Sequence, residues 1–208
     1  MITETLLSSL REGLKDEMED SRYRHTLGVE QEIRALARFF SPETEKTAAA
    51  AGLLHDITKG WTPEEHIAFC RTHGISVTEE ERAIPALLHA KTAAALIPLK
   101  YPALATGEIL SAVTKHTTAD KDMSVLDALL YIADFTEAGR SYSSCQEVRR
   151  LLHEEMKKGT KDKGGLLRYI LLTICEASLS ALRRMDRPIA SGTREAILAL
   201  SENERYFS

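Results

Sequence analysis

Cysteine is scarce in this chain. Cys70, Cys145 and Cys175 are odd in number and far apart in 208 residues, which argues against a disulfide framework or a Cys-based zinc site and fits reduced thiols. Positive charge is also in short supply. Lys and Arg total 27 against 31 Asp and Glu, a net charge of −4 with an isoelectric point near 6.0, so the basic face or stripe of a general nucleic-acid binder is missing and no nucleic-acid partner is expected. Any polyanionic ligand must be met by individually placed Arg and Lys. No window reaches roughly 18 to 20 uncharged apolar residues, because Arg168 and Glu176 flank and interrupt the best candidate, and no membrane partner is expected. The opening stretch, MITETLLSSLREGLKDEMEDS, has acidic residues and no basic segment ahead of its apolar part. It does not read as a secretion signal, and the expected location is the cytoplasm. Internal repeats and low-complexity segments are absent as well.

What is present is an ordinary globular composition, 43% hydrophobic and 28% charged, in a chain long enough for one well-filled core. Apolar residues recur at helical spacing nearly everywhere and period-2 alternation never persists, so the fold class expected is all-α, with about nine helices. Helix-start signals agree: Ser41-Pro42-Glu43 offers a cap followed by Pro, Thr62-Pro63-Glu64-Glu65 adds a capping-box Glu, and Thr78-x-x-Glu81 and Ser124-x-x-Asp127 repeat the pattern. Helices are expected near 3–18, as a lid or brace, and near 22–40, 84–99, 107–117, 124–136, 145–156, 165–185 and 193–200, with a short one beginning at Pro63. Gly139 is expected to stop the helix that starts at Ser124. The stretch KKGTKDKGG over 157–165 reads as a solvated connector.

The chain is organised around AAAAGLLHDITK, residues 48–59, where a small-residue helix able to pack closely on its neighbours ends in an adjacent His55-Asp56 pair. A buried carboxylate needs a compensating cation or donors, and an imidazole beside it makes a metal ion the economical candidate. Alone the pair means little. His25, however, shares the core-facing stripe of Val29, Ile33, Leu36 and Phe40. His89 stands in the apolar run Ala86-Leu87-Leu88-His89-Ala90, His116 closes a helix with Ile109 and Val113, and Asp134 shares a face with Asp127, Leu130 and Tyr131. Five helical segments thus each bring His or Asp to an apolar or helix-terminal position, which is a metal-site pattern. His66, His73 and His153 sit among Glu, Arg, Thr and Gly and read as exposed.

These residues resemble a family. The order H…HD…D, here His25, His55-Asp56 and Asp134, is similar to the metal-dependent HD-domain phosphohydrolases, which are all-helical. Arg22-x-x-His25-Thr26, LLHDITK, LLHA at 87–90, KHTTA at 115–119 and YIADFTEAGR at 131–140 resemble one branch, the YqeK-like symmetrical dinucleoside tetraphosphatases, over about 21–182. The length favours a single domain over 1–208, with 1–20 expected as an N-terminal helix and 186–208 as a C-terminal extension. The resemblance implies hydrolysis of diadenosine tetraphosphate, a dinucleoside polyphosphate, into two ADP, with iron in the site and manganese or another divalent metal as the alternative. Carried over, the metal ligands fall on His25, His55, Asp56 and Asp134, the nucleotide contacts on Arg22, Lys59, His89, His116 and Arg140, and the catalytic roles on Asp56, His89 and His116. Where the family pattern has His-Gly and His-Thr-Thr-Gly, this chain has His89-Ala90 and His116-Thr117-Thr118-Ala119. A homodimer is compatible with the sequence and not specified by it.

The residue chemistry points the same way. Two imidazoles and two carboxylates, with no thiolate, suit iron or manganese and leave coordination positions open for water and a phosphate oxygen. Arg22, Lys59 and Arg140 lie three to six residues from a proposed ligand, close enough to neutralise a polyphosphate. His89 and His116 could bind a second metal, hydrogen-bond phosphates or protonate the leaving group. The rival readings are an HD phosphohydrolase acting on another nucleotide and a catalytically silent nucleotide-binding regulator.

Overall fold

The expected stripe of Val29, Ile33 and Leu36 is completely buried along helix α2, Asp20–Phe40, each side chain contributing roughly 1.5 to 3 kcal/mol of burial free energy. In the computed structural model, which describes residues 1–207, this helix is the spine of an all-α fold. Eleven α-helices and three 3-10 turns occur, with no strand among the described residues. Against α2 lies α3, Glu45–Leu54, whose Ala48 to Ala51 are wholly buried. The approach depends on Gly52: a Cβ there would stand 3.2 Å from the Glu30 Cα and 3.1 Å from Ile33 Cγ2. The small-residue run therefore brings two backbones together and delivers His55 and Asp56 to the interior in the turn that follows Leu54.

Three more helices complete the surroundings of that turn. These are α6, Leu88–Lys100, α7, Gly107–Lys115, and α8, Val125–Thr136; α7 packs on α3, α6 and α8, and α8 packs on α2. Helix α8 opens with the expected capping box between Ser124 and Asp127. Helix α1, Glu4–Glu17, acts as a brace: Leu7, Leu10 and Leu14 are buried, and Arg11 grips buried Glu30 with a pair of hydrogen bonds of 2.7 and 2.5 Å. Helices α4, Pro63–Thr72, and α5, Glu79–Ala83, fill the link between α3 and α6. The chain ends in α9, Ser143–Lys158, α10, Lys163–Arg184, and α11, Ser191–Glu202; α9 and α10 pack on α8, and α11 packs on α10.

Several boundaries differ from the sequence pattern, each for a local reason. The helix expected over 84–99 is broken, because Ile84 before Pro85 lies outside the helical region (φ −128°, ψ 72°) and a 3-10 turn, Pro85–Leu87, precedes α6. Helix α8 stops at Thr136 with Glu137 as its extended cap, so Gly139 is not its terminator. The connector expected over 157–165 is only its middle, since Gly159 caps α9 in the left-handed region (φ 69°) and α10 has begun by Lys163. Arg168 and Glu176 do not disqualify α10 as a long apolar helix: its 22 residues are long and apolar enough to cross a membrane, by length and composition alone. Within this fold, Leu167, Ile170, Leu171 and Ile174 bury one face of it.

Candidate active site

All five segments singled out by the sequence meet at one point, and Asp56 is its centre. The Asp56 carboxylate is almost fully buried and shows different company to each oxygen. Oδ2 lies 3.4 Å from His55 Nε2 and 3.9 Å from His25 Nε2, and accepts a 2.6 Å hydrogen bond from Arg22. Oδ1 lies 3.3 Å from His89 Nε2 and 3.4 Å from His116 Nε2. Asp134 joins the first set, its Oδ1 standing 3.0 Å from His25 Nε2 and pairing with the Arg140 guanidinium. Donor atoms of His25, His55 and Asp134, and again of His55, Asp56 and His116, lie close enough to share a metal ion.

The histidine rings are oriented by their outer nitrogens. Nδ1 of His55 donates to the Gly52 carbonyl at 2.7 Å, that of His116 to Val113 at 2.7 Å, and that of His89 to Ala86 at 2.5 Å, each three residues back along the chain. His25 Nδ1 donates instead to the Glu137 carboxylate at 3.2 Å. With Nδ1 committed in all four rings, each Nε2 faces the carboxylates of Asp56 and Asp134. Among the described residues, His25 Nε2, His55 Nε2 and Asp56 Oδ1 are buried with no hydrogen-bond partner. Buried polar atoms are rarely left so, and three of them converging on one point suit a divalent cation.

The electrostatics divide along the same line. Burial favours the neutral acid at Asp56 and Asp134, but His55 and His116 outweigh it at Asp56, and His25 and Arg140 at Asp134, so both carboxylates are held well below their ordinary range. Burial likewise disfavours the charged form of His25, yet the neighbouring Asp134 raises its pKa overall. His89 goes the other way: burial, His116 and Lys59 push it down to about 3, leaving a neutral ring. Burial also lowers Lys59, although the surrounding carboxylates oppose that.

Each expected phosphate contact reaches the cluster. Lys59 is not a surface charge; its Nζ donates to His89 Nε2 at 3.1 Å. Arg140 folds back over six residues, Nε donating to the Asp134 carbonyl at 2.8 Å. A cavity of about 240 Å³ opens beside them, its lining including Lys59, His116, Asp134 and Arg140 together with Tyr131, Phe135 and Tyr142. A wider one of about 770 Å³ opens past Arg22, Asp56 and Trp61.

Sequence reasoning missed several residues here. Glu137 carries the pattern DxxE after Asp134, a signal hidden because a Glu in a loop beside Arg140 reads as solvated charge. Thr117 places its hydroxyl 3.0 Å from His89 Nε2. His66, expected to be exposed, is buried. Its Nδ1 donates to the Thr92 hydroxyl at 2.8 Å, while the neighbouring Thr58 hydroxyl donates to the His89 carbonyl at 2.9 Å, so this polar chain underpins the helix start that carries His89. His153 is half-buried and donates to buried Glu32 at 2.8 Å. His73 is exposed as expected.

Comparison with known proteins matches the family model described as HD domain to residues 22–139. The chain is similar to a protein of Bacillus subtilis (strain 168) named bis(5'-nucleosyl)-tetraphosphatase, symmetrical, at 28% identity over 145 residues, 70% of this chain and 76% of that one. A protein of the same name from Staphylococcus aureus is 27% identical over 149 residues, 72% of this chain and 74% of its own. A crystal structure from Clostridium acetobutylicum, described as a "predicted HD superfamily hydrolase involved in NAD metabolism", superposes with a TM-score of 0.81 at 27% identity, covering 94% of this chain and 96% of that one.

Proposed function

Since this chain belongs to the HD-domain family of hydrolases, we propose that it is a metal-dependent phosphoric anhydride hydrolase that cuts diadenosine tetraphosphate symmetrically, consuming one water and releasing two ADP. The observation that carries this reading is the set of partnerless buried atoms, His25 Nε2, His55 Nε2 and Asp56 Oδ1, at the meeting point of two histidines and two carboxylates. His25, His55, Asp56 and Asp134 would hold the ion. Nitrogen and carboxylate donors without thiolate suit iron or manganese; the family resemblance favours iron, with manganese or another divalent metal as the alternative. When bound, such an ion supplies a water of lowered pKa and polarises a phosphate oxygen.

The side chains do the rest. Lys59 and Arg140 border the 240 Å³ cavity and give it the positive charge that a tetraphosphate requires in a chain of net charge −4. Arg22, fixed on Asp56, holds the mouth of the wider cavity. His89 is neutral and accepts from Lys59, which keeps that ammonium turned into the site. His116 presents its Nε2 to the same cavity. The leaving ADP departs as an anion that Lys59 and Arg140 neutralise and hydrogen-bond.

A second reading is favoured by the C. acetobutylicum neighbour, whose description places it in NAD metabolism: the same site acting on another nucleotide. Chromatography of products from a panel of dinucleoside polyphosphates, nucleoside phosphates and NAD-related nucleotides, run on metal-loaded protein, separates the two. ADP as the sole product from diadenosine tetraphosphate supports symmetric cleavage. AMP and ATP in equal amounts, or turnover confined to another member of the panel, removes it.

A further inference from the structure

Of the four histidines around Asp56, three spend Nδ1 on a backbone carbonyl and one, His25, spends it on a carboxylate, Glu137. We propose that Glu137 is a positioning residue for the metal, holding His25 in one tautomer and ring orientation and strengthening Nε2 as a donor, and that Gly28 is glycine because Glu137 occupies the space of its side chain. The proposal rests on the reading of His25 as a metal ligand.

Glu137 is buried, a costly place for a carboxylate without partners. It has two: His25 Nδ1–H at Oε1 and the Gly139 N–H, which donates to Oε2 at 2.6 Å. The turn that presents it is itself clamped. Arg149 on α9 donates to the backbone carbonyls of Thr136, Glu137 and Arg140 at 2.5, 2.5 and 2.8 Å.

The second observation comes from α2. Gly28 lies in the interior of a 21-residue helix, where glycine destabilises by about 0.5 to 1 kcal/mol relative to alanine. Its φ is not positive, so conformational freedom does not explain it. Space does: a Cβ on Gly28 would stand 2.5 Å from Glu137 Oε2 and 3.2 Å from its Cδ, and one on Gly139 would stand 2.9 and 3.0 Å from the two carboxylate oxygens. Two glycines therefore form the cradle of one side chain. A carboxylate accepting from Nδ1–H leaves Nε2 deprotonated and facing the cluster, and makes it more basic than a carbonyl acceptor would.

Glu137→Gln and Gly28→Ala test this from opposite sides. Metal-free parent and variants are loaded with cobalt(II), affinity is measured by competition with a chelator, and the visible spectrum of the bound ion and the metal-free melting temperature are recorded alongside. Both variants are expected to bind cobalt roughly ten- to a hundredfold more weakly with an altered visible spectrum, and the double variant no more weakly than the worse single one. Gly28→Ala should do so although alanine is the better helix former. If Glu137 only stabilises its turn, the variants will melt at a lower temperature and bind cobalt within about twofold of the parent with an unchanged spectrum, and the proposal is overturned. Additive losses in the double variant overturn the link to Gly28. A parent that takes up no cobalt sinks both this inference and the reading it rests on, whereas a parent that binds cobalt but leaves diadenosine tetraphosphate intact sinks the substrate alone.

Discussion

The two sides of Asp56 are built from the same residue type and behave as opposites. On the Oδ2 side, His25 meets Asp134 and Glu137 and its pKa rises. On the Oδ1 side, His89 meets His116 and Lys59 and is pushed down to about 3. Imidazole identity therefore says little about role until its neighbours are known. On the proposed reading the carboxylate-rich side takes the cation, and the side with a lysine and the neutral His89 ring takes the anion. The linkage signs differ too. In the metal-free protein the His25 contribution to stability is present below the ordinary histidine pKa and lost as pH rises through its raised value, whereas that of His89 is present above about 6.5 and lost as pH falls toward about 3.

The comparison breaks first at Asp56, which both sides share. Asp56→Ala is expected to abolish bound metal and reduce hydrolysis by more than about a thousandfold, since the metal supplies several kcal/mol of transition-state stabilisation, while far-UV circular dichroism stays helical. Normal metal content with normal turnover would detach Asp56 from the chemistry.

His89→Gln separates the sides. Hydrolysis should slow by about a hundredfold while metal bound through His25 persists in elemental analysis. In the metal-free variant, the loss of melting temperature between about pH 6.5 and pH 4 should be shallower than in the parent, because the unfolded His89 no longer binds a proton that the folded one refuses. A variant that loses all its metal would place the cation on the wrong side of Asp56.

Arg140→Lys acts on a proposed phosphate contact anchored to Asp134, with the charge conserved. Arg140 hydrogen-bonds both the carbonyl and the carboxylate of Asp134, a fork that an ammonium cannot copy. A charge-assisted hydrogen bond contributes roughly 1.5 to 3 kcal/mol, so catalytic efficiency should fall about ten- to a hundredfold. Efficiency within about twofold of the parent would leave Arg140 without a role in turnover.

The smallest effect is expected at Ala119. It takes the place of a glycine in the family pattern and adopts φ 58°, three residues after His116, in the turn whose Thr118 carbonyl accepts from Thr193 of α11. Left-handed backbone costs a non-glycine residue roughly 1 to 2 kcal/mol. Ala119→Gly should therefore raise the melting temperature by a few degrees. A lower melting temperature would mean that the turn carries no such strain.

Local signals account for most of what the amino-acid sequence makes legible. Helical periodicity, capping boxes and the placement of His25, His55, Asp56, His89, His116 and Asp134 on apolar faces are signals of this kind, and all six residues meet in space. Glu137, Gly28 and His66 are not legible because their meaning is tertiary. A glutamate in a loop looks solvated until Gly28, far upstream, is seen to lack the atom that would displace it. His66 sits among glutamates in sequence, but its helix turns it inward onto Thr92. Pro85 is the readable exception, since the residue before a proline avoids the helical region, yet apolar periodicity runs straight across it.

The central claim, that the cation belongs to the carboxylate-rich side of Asp56, is tested most directly by anomalous diffraction from crystals of iron-loaded protein. A peak roughly 2.0 to 2.2 Å from His25 Nε2, His55 Nε2 and carboxylate oxygens of Asp56 and Asp134 is the predicted result. A peak held by His89 and His116 alone, with nothing bonded to His25, would contradict it.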